Sequence, residues 1–226
     1  MSASPLHSTA ALQFTGVKVM VHGGPGVGKT RLAATAPAPV ILSAEQGLLS
    51  LRKYNIPYLD IKSLADLRAA WTWVSKSTEA KQFKTVLLDS VTEIADVILR
   101  EAKSKTKDAR MAYGDVQDEI AILLWNFRQI AGLHVVFIFQ SEPWKDEFNG
   151  TTMLVPTIPG QMLKPKLPYL TDEVFYMYRH TNPDGTDAPV IQTQPDFRTI
   201  AKDRSGALNK LEPPDLAYIF DKIAKG

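Results

Sequence analysis

Near its start the chain reads His22-Gly23-Gly24-Pro25-Gly26-Val27-Gly28-Lys29-Thr30. From Gly23 to Thr30 this run matches Gly-x-x-x-x-Gly-Lys-Thr, the motif of a phosphate-binding loop. Glycines let the backbone curl so that several N–H groups point at phosphate oxygens. The motif predicts that Lys29 reaches the β- and γ-phosphates and that the Thr30 hydroxyl ligates Mg²⁺. We therefore expect residues 23–30 to bind ATP together with Mg²⁺.

The residues on either side of the loop favour the strand and helix that this motif requires. Residues 17–21 are apolar and rich in β-branched side chains, which is typical of a strand. Residues 31–36 favour a short helix that ends before Pro37. The alternative is a glycine-rich turn with a chance lysine, but it does not explain why the motif and both flanks coincide.

Composition limits the class of protein. The chain has 226 residues, 45% of them hydrophobic and 22% charged, which is ordinary for a globular α/β protein. It has no cysteine, so disulfides and thiolate metal sites are excluded. The net charge of +2 permits a nucleic-acid partner without indicating one. No signal-peptide or membrane-span pattern is visible. We expect a cytoplasmic protein with no membrane contact, a flexible tail over 1–14 and one domain over 15–226.

Three further apolar strands end in polar side chains, which are Glu45, Asp89 and Gln140. In a parallel sheet wrapped by helices, ligands lie at the carboxyl ends of the strands, so these side chains should meet beside the loop. Asp89 is expected to hold Mg²⁺ through water opposite Thr30. Glu45 is the candidate general base for the attacking water, and Gln140 would contact the γ-phosphate or that water. The alternatives are a capping Asp, a solvated Glu and a capping amide.

With these motifs the chain resembles the RecA-type ATPase core from residue 17 to about residue 204. Leu87-Leu88-Asp89-Ser90 resembles the Asp-Ser second motif of that family, and Ser43-Ala44-Glu45 resembles the strand end with its catalytic glutamate. The resemblance implies an α/β fold, a RecA-like P-loop NTPase core. Its mostly parallel central sheet would be flanked by helices and carry an antiparallel C-terminal extension. AAA+ ATPases are the nearest rival, but they usually have Asp-Glu at the second motif.

The same resemblance implies an assembly. Lys202-Asp203-Arg204 is similar to the basic pair that RecA subunits insert into a neighbour's ATP site. It implies that Lys202 and Arg204 stabilise charge in trans, within a homo-oligomer or filament whose ATP sites lie between subunits. The alternative is a pair of surface cations. Among RecA-like proteins, the chain is most similar to the ATP-binding Sak-type single-strand annealing proteins of phages.

Two segments are candidates for binding single-stranded DNA. Residues 101–113 look like a basic connection between helices over 91–100 and 115–131, and residues 141–168 look like a long irregular stretch rich in proline. The first has four cations that could neutralise phosphates: Lys103, Lys105, Lys107 and Arg110. In the second, Trp144 could stack on a base. The alternatives are a solvated charged face and an aromatic that packs the loop down.

The sequence thus predicts a Mg²⁺-dependent, DNA-stimulated ATPase. It would bind single-stranded DNA and promote annealing or strand exchange in phage recombination, in the cytoplasm of the bacterial host. A single-strand binding protein is a candidate partner. One alternative is a motor or loader that remodels a replication protein without annealing DNA. Another is a nucleotide-dependent switch with little turnover.

Overall fold

The computed structural model describes residues 15–45, 47–146 and 150–226. The expected tail, residues 1–14, lies outside the described residues. The strands are β1 (Lys18–Gly23), β2 (Pro39–Ser43), β3 (Tyr58–Asp60), β4 (Thr85–Asp89), β5 (His134–Lys145), β6 (Thr152–Pro156), β7 (Glu173–Thr181), β8 (Asp187–Gln192) and β9 (Leu211–Glu212). The α-helices are α1 (Leu64–Lys76), α2 (Val91–Lys105), α3 (Ala109–Arg128) and α4 (Leu216–Lys225). Short 3₁₀ helices cover Thr30–Thr35, Leu48–Tyr54, Glu79–Gln82 and Lys164–Tyr169.

The strands form one mixed sheet in the order β3-β2-β4-β5-β1-β7-β8-β9, and β6 pairs with β5 outside this path. The pairs from β3 through β1 to β7 are parallel, whereas β8 and β9 add in antiparallel fashion. The predicted fold class, a mostly parallel sheet with an antiparallel C-terminal extension, is confirmed. Strand β5 lies between the strand before the phosphate loop and the strand that ends in Asp89.

Helices cover both faces of the parallel strands, so these strands are apolar along nearly their whole length. On one face, α2 and α3 pack onto the sheet with residues such as Ile94, Ile98, Ile120 and Phe127. On the other face, the helix Thr30–Thr35 and α4 form a second cluster. Because both faces are covered, the carboxyl edge of the sheet is where polar strand ends can reach solvent.

The prediction that residues 101–113 form a basic connection between helices is wrong, because most of these residues are helical. Helix α2 continues to Lys105, and α3 already begins at Ala109, so the break is confined to residues 106–108. The Asp108 side chain caps α3 by accepting the N–H groups of Arg110 and Met111. At the end of α2, Lys105 pairs with Glu101 one turn earlier at 2.6 Å, where a cation also favours the helix C-terminus.

The predicted irregular stretch over 141–168 is also largely wrong. Strand β5 runs on through Lys145 and pairs with β6 in an antiparallel hairpin, and Lys164–Tyr169 is a 3₁₀ helix. The buried Lys164 ammonium forms an ion pair with Glu142 on the hairpin. Pro143 misled the sequence interpretation because an exposed edge position tolerates proline within a strand. The tip, residues 147–149, lies outside the described residues. None of the described helices is long and apolar enough to cross a membrane.

Candidate functional site

The phosphate loop leaves β1 at Gly23 and encloses open space. Gly26 and Gly28 have φ of 73° and 105°, which glycine adopts without strain. A Cβ built on Gly24 or Gly26 would meet no atom within 4 Å, whereas one on Gly23 would lie 2.3 Å from the Met177 carbonyl oxygen. The loop is therefore packed tightly against β7 at its base and open at its rim, as a site for a phosphate chain requires.

A cavity of about 460 Å³ opens above this loop, which is within the usual size range for small-molecule sites. Loop residues from Gly23 to Thr30 line it on one side, and Glu45, Asp89 and Gln140 line it on the other. The structure thus brings together all three polar strand ends that the sequence singled out. Arg31 and Ser141 also line the cavity, and the sequence analysis did not identify either.

Lys29 lies over the loop, and its ammonium donates to the carbonyl oxygens of Gly23 at 2.8 Å and Gly24 at 2.7 Å. An ammonium has three donors, so at least one is left for a phosphate oxygen. Burial lowers the pKa of Lys29, and the charges of Asp89 and Glu45 act in the opposite direction. The helix that follows is a six-residue 3₁₀ helix, so the phosphate binding that the motif predicts would depend on the loop and Lys29 more than on a helix dipole.

The two expected metal ligands lie close together. Thr30 and Asp89 both line the cavity, and the Thr30 side chain lies near enough to the Asp89 carboxyl to lower its pKa. Burial, with the Glu45 charge adding to it, raises the pKa of Asp89 to about 6, against the effects of Thr30 and Lys29. In the described part of the chain, no group of three or more His, Asp or Glu residues could hold a metal alone. Mg²⁺ prefers oxygen ligands, keeps several waters and uses substrate phosphates, and a hydroxyl beside one carboxylate fits that preference.

Helix α2 holds the other two strand-end side chains through its first turn. The Ser90 hydroxyl donates to Glu45 Oε1 at 2.7 Å. The Gln140 side-chain amide donates to Glu93 Oε1 at 3.0 Å, and the Gln140 backbone N–H donates to Thr92 Oγ1 at 3.0 Å. Sequence reasoning missed these contacts, although Ser90-x-x-Glu93 is a capping-box pattern that marks the helix start.

His22, just before the loop, is fully buried and connects the cavity to a distant segment. Its Nδ1 lies 2.9 Å from Ser141 Oγ, and its Nε2 lies 2.8 Å from the Ile200 carbonyl oxygen. Burial lowers the pKa of His22 to about 4, so the ring is neutral at pH 7. A carbonyl oxygen only accepts hydrogen bonds, so Nε2 has the proton and the Ser141 hydroxyl donates to Nδ1.

The structure does not place Lys202 and Arg204 near the phosphate loop of their own chain. Lys202 lies beside Val174, and its ammonium donates to the carbonyl oxygens of Pro168 at 2.5 Å and Thr171 at 2.6 Å. Arg204 pairs with Asp172 at 2.8 Å. These contacts lie near the amino-terminal ends of β1 and β7, because the Asp172 N–H donates to the Lys18 carbonyl. Their role in trans stays a prediction.

The expected DNA-binding residues lie outside the cavity lining, at the junction of α2 and α3 and on the β5–β6 hairpin. Four exposed cations surround the junction of α2 and α3: Lys103, Lys105, Lys107 and Arg110. The Lys103 ammonium lies 4.8 Å from the centre of the Tyr113 ring. Trp144 is half-buried on the β5–β6 hairpin, opposite Met153. The hairpin begins at Ser141, and both Gln140 and Ser141 line the cavity, so the base of the hairpin is next to the candidate site.

The loop, the Thr30–Asp89 pair and the parallel sheet define a P-loop ATPase. A family model described as an AAA domain (AAA_24) matches residues 15–205, and the chain belongs to this family. The search of curated proteins found no match. The crystal structure of the RadB recombinase is similar, with a TM-score of 0.46 and 15% identity over 79% of this chain and 80% of that chain. At this TM-score and identity the similarity supports no conclusion about the function of this chain.

The AAA description and the RecA-type interpretation of the sequence agree on the P-loop ATPase class. The feature that favoured the RecA type is the Asp-Ser second motif. Asp89 ends β4, and Ser90, not Glu, follows it as the cap of α2.

Proposed function

We propose that this protein is a Mg²⁺-dependent ATPase whose nucleotide cycle controls binding of single-stranded DNA, for annealing or strand exchange in phage recombination. The observation that carries the ATPase part is the convergence of Lys29, Asp89 and Glu45 on one cavity above the phosphate loop. These are the cation, the metal-binding carboxylate and the candidate base that in-line attack by water on a terminal phosphate requires.

Each of these residues has a separate task. The loop N–H groups and Lys29 bind the phosphate chain, and Thr30 with Asp89 holds the metal. Bound Mg²⁺ would supply positive charge beside the β- and γ-phosphates. Glu45 orients the attacking water and accepts its hydrogen bond, and Gln140 contacts the terminal phosphate or the water.

The DNA part of the proposal is supported by position and charge. The four exposed cations at the α2–α3 junction can neutralise phosphates, and Trp144 offers a ring for stacking. The hairpin with Trp144 follows directly after Gln140. Loss of the terminal phosphate, which Gln140 would contact, could therefore move the hairpin through the backbone. We also propose a homo-oligomer with ATP between subunits, since Lys202 and Arg204 lie at the opposite end of the sheet and would reach the site of a neighbour packed head to tail. Its location would be the cytoplasm, and a single-strand binding protein is the candidate partner.

A second candidate is a loader that remodels a replication protein. It is favoured by Asp146 at the end of the hairpin, because a carboxylate there would repel a nucleic-acid backbone. A loader needs its protein partner before ATP turns over, whereas a DNA-binding ATPase responds to DNA alone.

The test is phosphate release with and without single-stranded DNA across a salt series. We expect turnover that requires Mg²⁺, rises with DNA and loses that rise steeply as salt increases. Lys29→Ala should abolish turnover, and Glu45→Gln should retain ATP binding while stopping hydrolysis. If the rate of ATP turnover is the same with and without DNA at every salt concentration, the proposed DNA-binding function is wrong. Full activity in Glu45→Gln would remove that residue from the mechanism.

A further inference from the structure

The Ser90 hydroxyl occupies a central position beside the cavity. It is 1% exposed and donates to Glu45 Oε1 at 2.7 Å. Ser90 Oγ also caps α2, because it accepts a hydrogen bond from the Glu93 N–H at 3.3 Å. A hydroxyl has one proton and a carboxylate only accepts, so the direction of the bond between Ser90 and Glu45 is determined.

The two residues are brought together by strand pairing. Ser43 is opposite Asp89 in the register of β2 and β4, and the Ala44 N–H donates to the Asp89 carbonyl at 3.1 Å. Glu45 and Ser90 therefore lie just beyond the ends of two paired strands, which places them side by side. They differ in their backbone setting: Ser90 begins a helix whose next residues are buried, whereas Glu45 lies in a bend after β2.

A glutamate in a bend has several rotamers, and a base that must meet one water needs a single one. The hydrogen bond from Ser90 selects that rotamer and occupies Oε1. The other oxygen, Oε2, lies toward Gly47, which also lines the cavity. One carboxylate oxygen thus accepts a hydrogen bond from the buried Ser90, and the other lies on the side of Gly47.

We propose that Ser90 is a positioning residue for Glu45, which holds the carboxylate through one oxygen so that the other oxygen can orient the attacking water. This inference depends on the proposed ATPase function. It assigns Ser90 a role in turnover besides its role as the cap of α2.

The experiment compares Ser90→Ala with wild type in steady-state ATP hydrolysis and in nucleotide binding. Loss of a hydrogen bond to a charged group predicts a fall in kcat of about tenfold or more. KM and the dissociation constant for ATP should stay within about twofold, because Ser90 does not line the phosphate loop. Ser90→Thr, which keeps the hydroxyl, should restore turnover.

Ser63→Ala is the matched control. Ser63 caps α1 in the same way, accepting the Asp66 N–H at 3.1 Å, and it does not line the cavity. It should lower the melting temperature about as much as Ser90→Ala does, with unchanged kcat. This separates the loss of a helix cap from the loss of the contact with Glu45.

The outcomes are distinguishable. If wild type hydrolyses no ATP, the proposed function fails. If wild type is active and Ser90→Ala is equally active or faster, the positioning role is wrong. The same holds if Ser90→Ala changes only ATP binding. If Ser90→Ala does not fold, Ser90→Gly decides the question, because glycine is nearly as good a cap and lacks the hydroxyl.

Discussion

Glu173→Gln should stabilise the protein at pH 8 and much less at pH 5. Glu173 begins β7 and is 2% exposed. Burial raises the pKa of its carboxyl from 4.5 to about 7, and the Asp203 charge adds to this, while N–H groups of Arg204 and Ser205 act against it. The substitution matters for function because those N–H groups belong to the segment that carries the candidate trans cations.

The size of the effect follows from proton linkage. Below pH 4.5 the glutamate is protonated in both the folded and the unfolded chain. Between pH 4.5 and 7 the folded chain holds a proton that the unfolded chain has lost, so the free energy of unfolding falls as pH rises. The rise of the pKa from 4.5 to about 7 corresponds to about 3 kcal/mol of lost stability above pH 7. Glutamine has no such loss. It keeps one oxygen, however, and the N–H groups of Arg204 and Ser205 bind different oxygens of Glu173, so one of these hydrogen bonds is lost and about 3 kcal/mol is an upper limit.

The measurement is thermal unfolding followed by circular dichroism at pH 5, 6, 7 and 8. For a chain of this size, about 3 kcal/mol corresponds to a gain of roughly 5–10 °C at pH 8. Glu212 is the control because it is equally buried but pairs with Lys222 at 2.5 Å, so Glu212→Gln should bring no such gain. The reasoning is refuted if Glu173→Gln is less stable than wild type at pH 8, or if its gain is constant from pH 5 to 8.

Three further variants probe the cavity and the hairpin. Glu93→Ala removes the acceptor that holds the Gln140 amide, so kcat for ATP should fall several-fold in steady-state assays; an unchanged kcat would contradict a role for that contact. Gly23→Ala would put a Cβ 2.3 Å from a carbonyl of β7 and should cost about 1–3 kcal/mol in thermal unfolding, whereas Gly24→Ala should cost little, and equal losses would argue against this packing. Trp144→Ala should weaken single-stranded DNA binding by about 1–3 kcal/mol in fluorescence anisotropy without changing the salt slope, and a changed slope would mean that it does not act by stacking.

The sequence was sufficient for features that depend on local chemistry. The phosphate loop could be identified because its glycines, Lys29 and Thr30 are consecutive and their backbone conformations are set by residue type. The apolar runs that lead to Glu45, Asp89 and Gln140 could be identified because strands buried on both faces are apolar throughout, although β2 ends at Ser43 and β5 continues to Lys145. Since parallel strands share one carboxyl edge, their convergence on the loop also followed.

The boundaries that failed depended on context. Lysines and prolines suggested loops over 101–113 and 141–168. A cap at Asp108 instead lets α3 begin early, and an open strand edge accommodates Pro143.

Only the tertiary structure decided which side chains meet. Ser90 and Glu45 are 45 positions apart, Gln140 and Glu93 are 47 apart, and His22 and Ile200 are 178 apart. No local pattern specifies such contacts, because they depend on the order of the strands in the sheet and on the register between them. A shift of one residue in that register would turn each side chain to the opposite face. The sequence itself thus identifies the candidate phosphate loop, and the packed sheet determines how the candidate catalytic side chains are held.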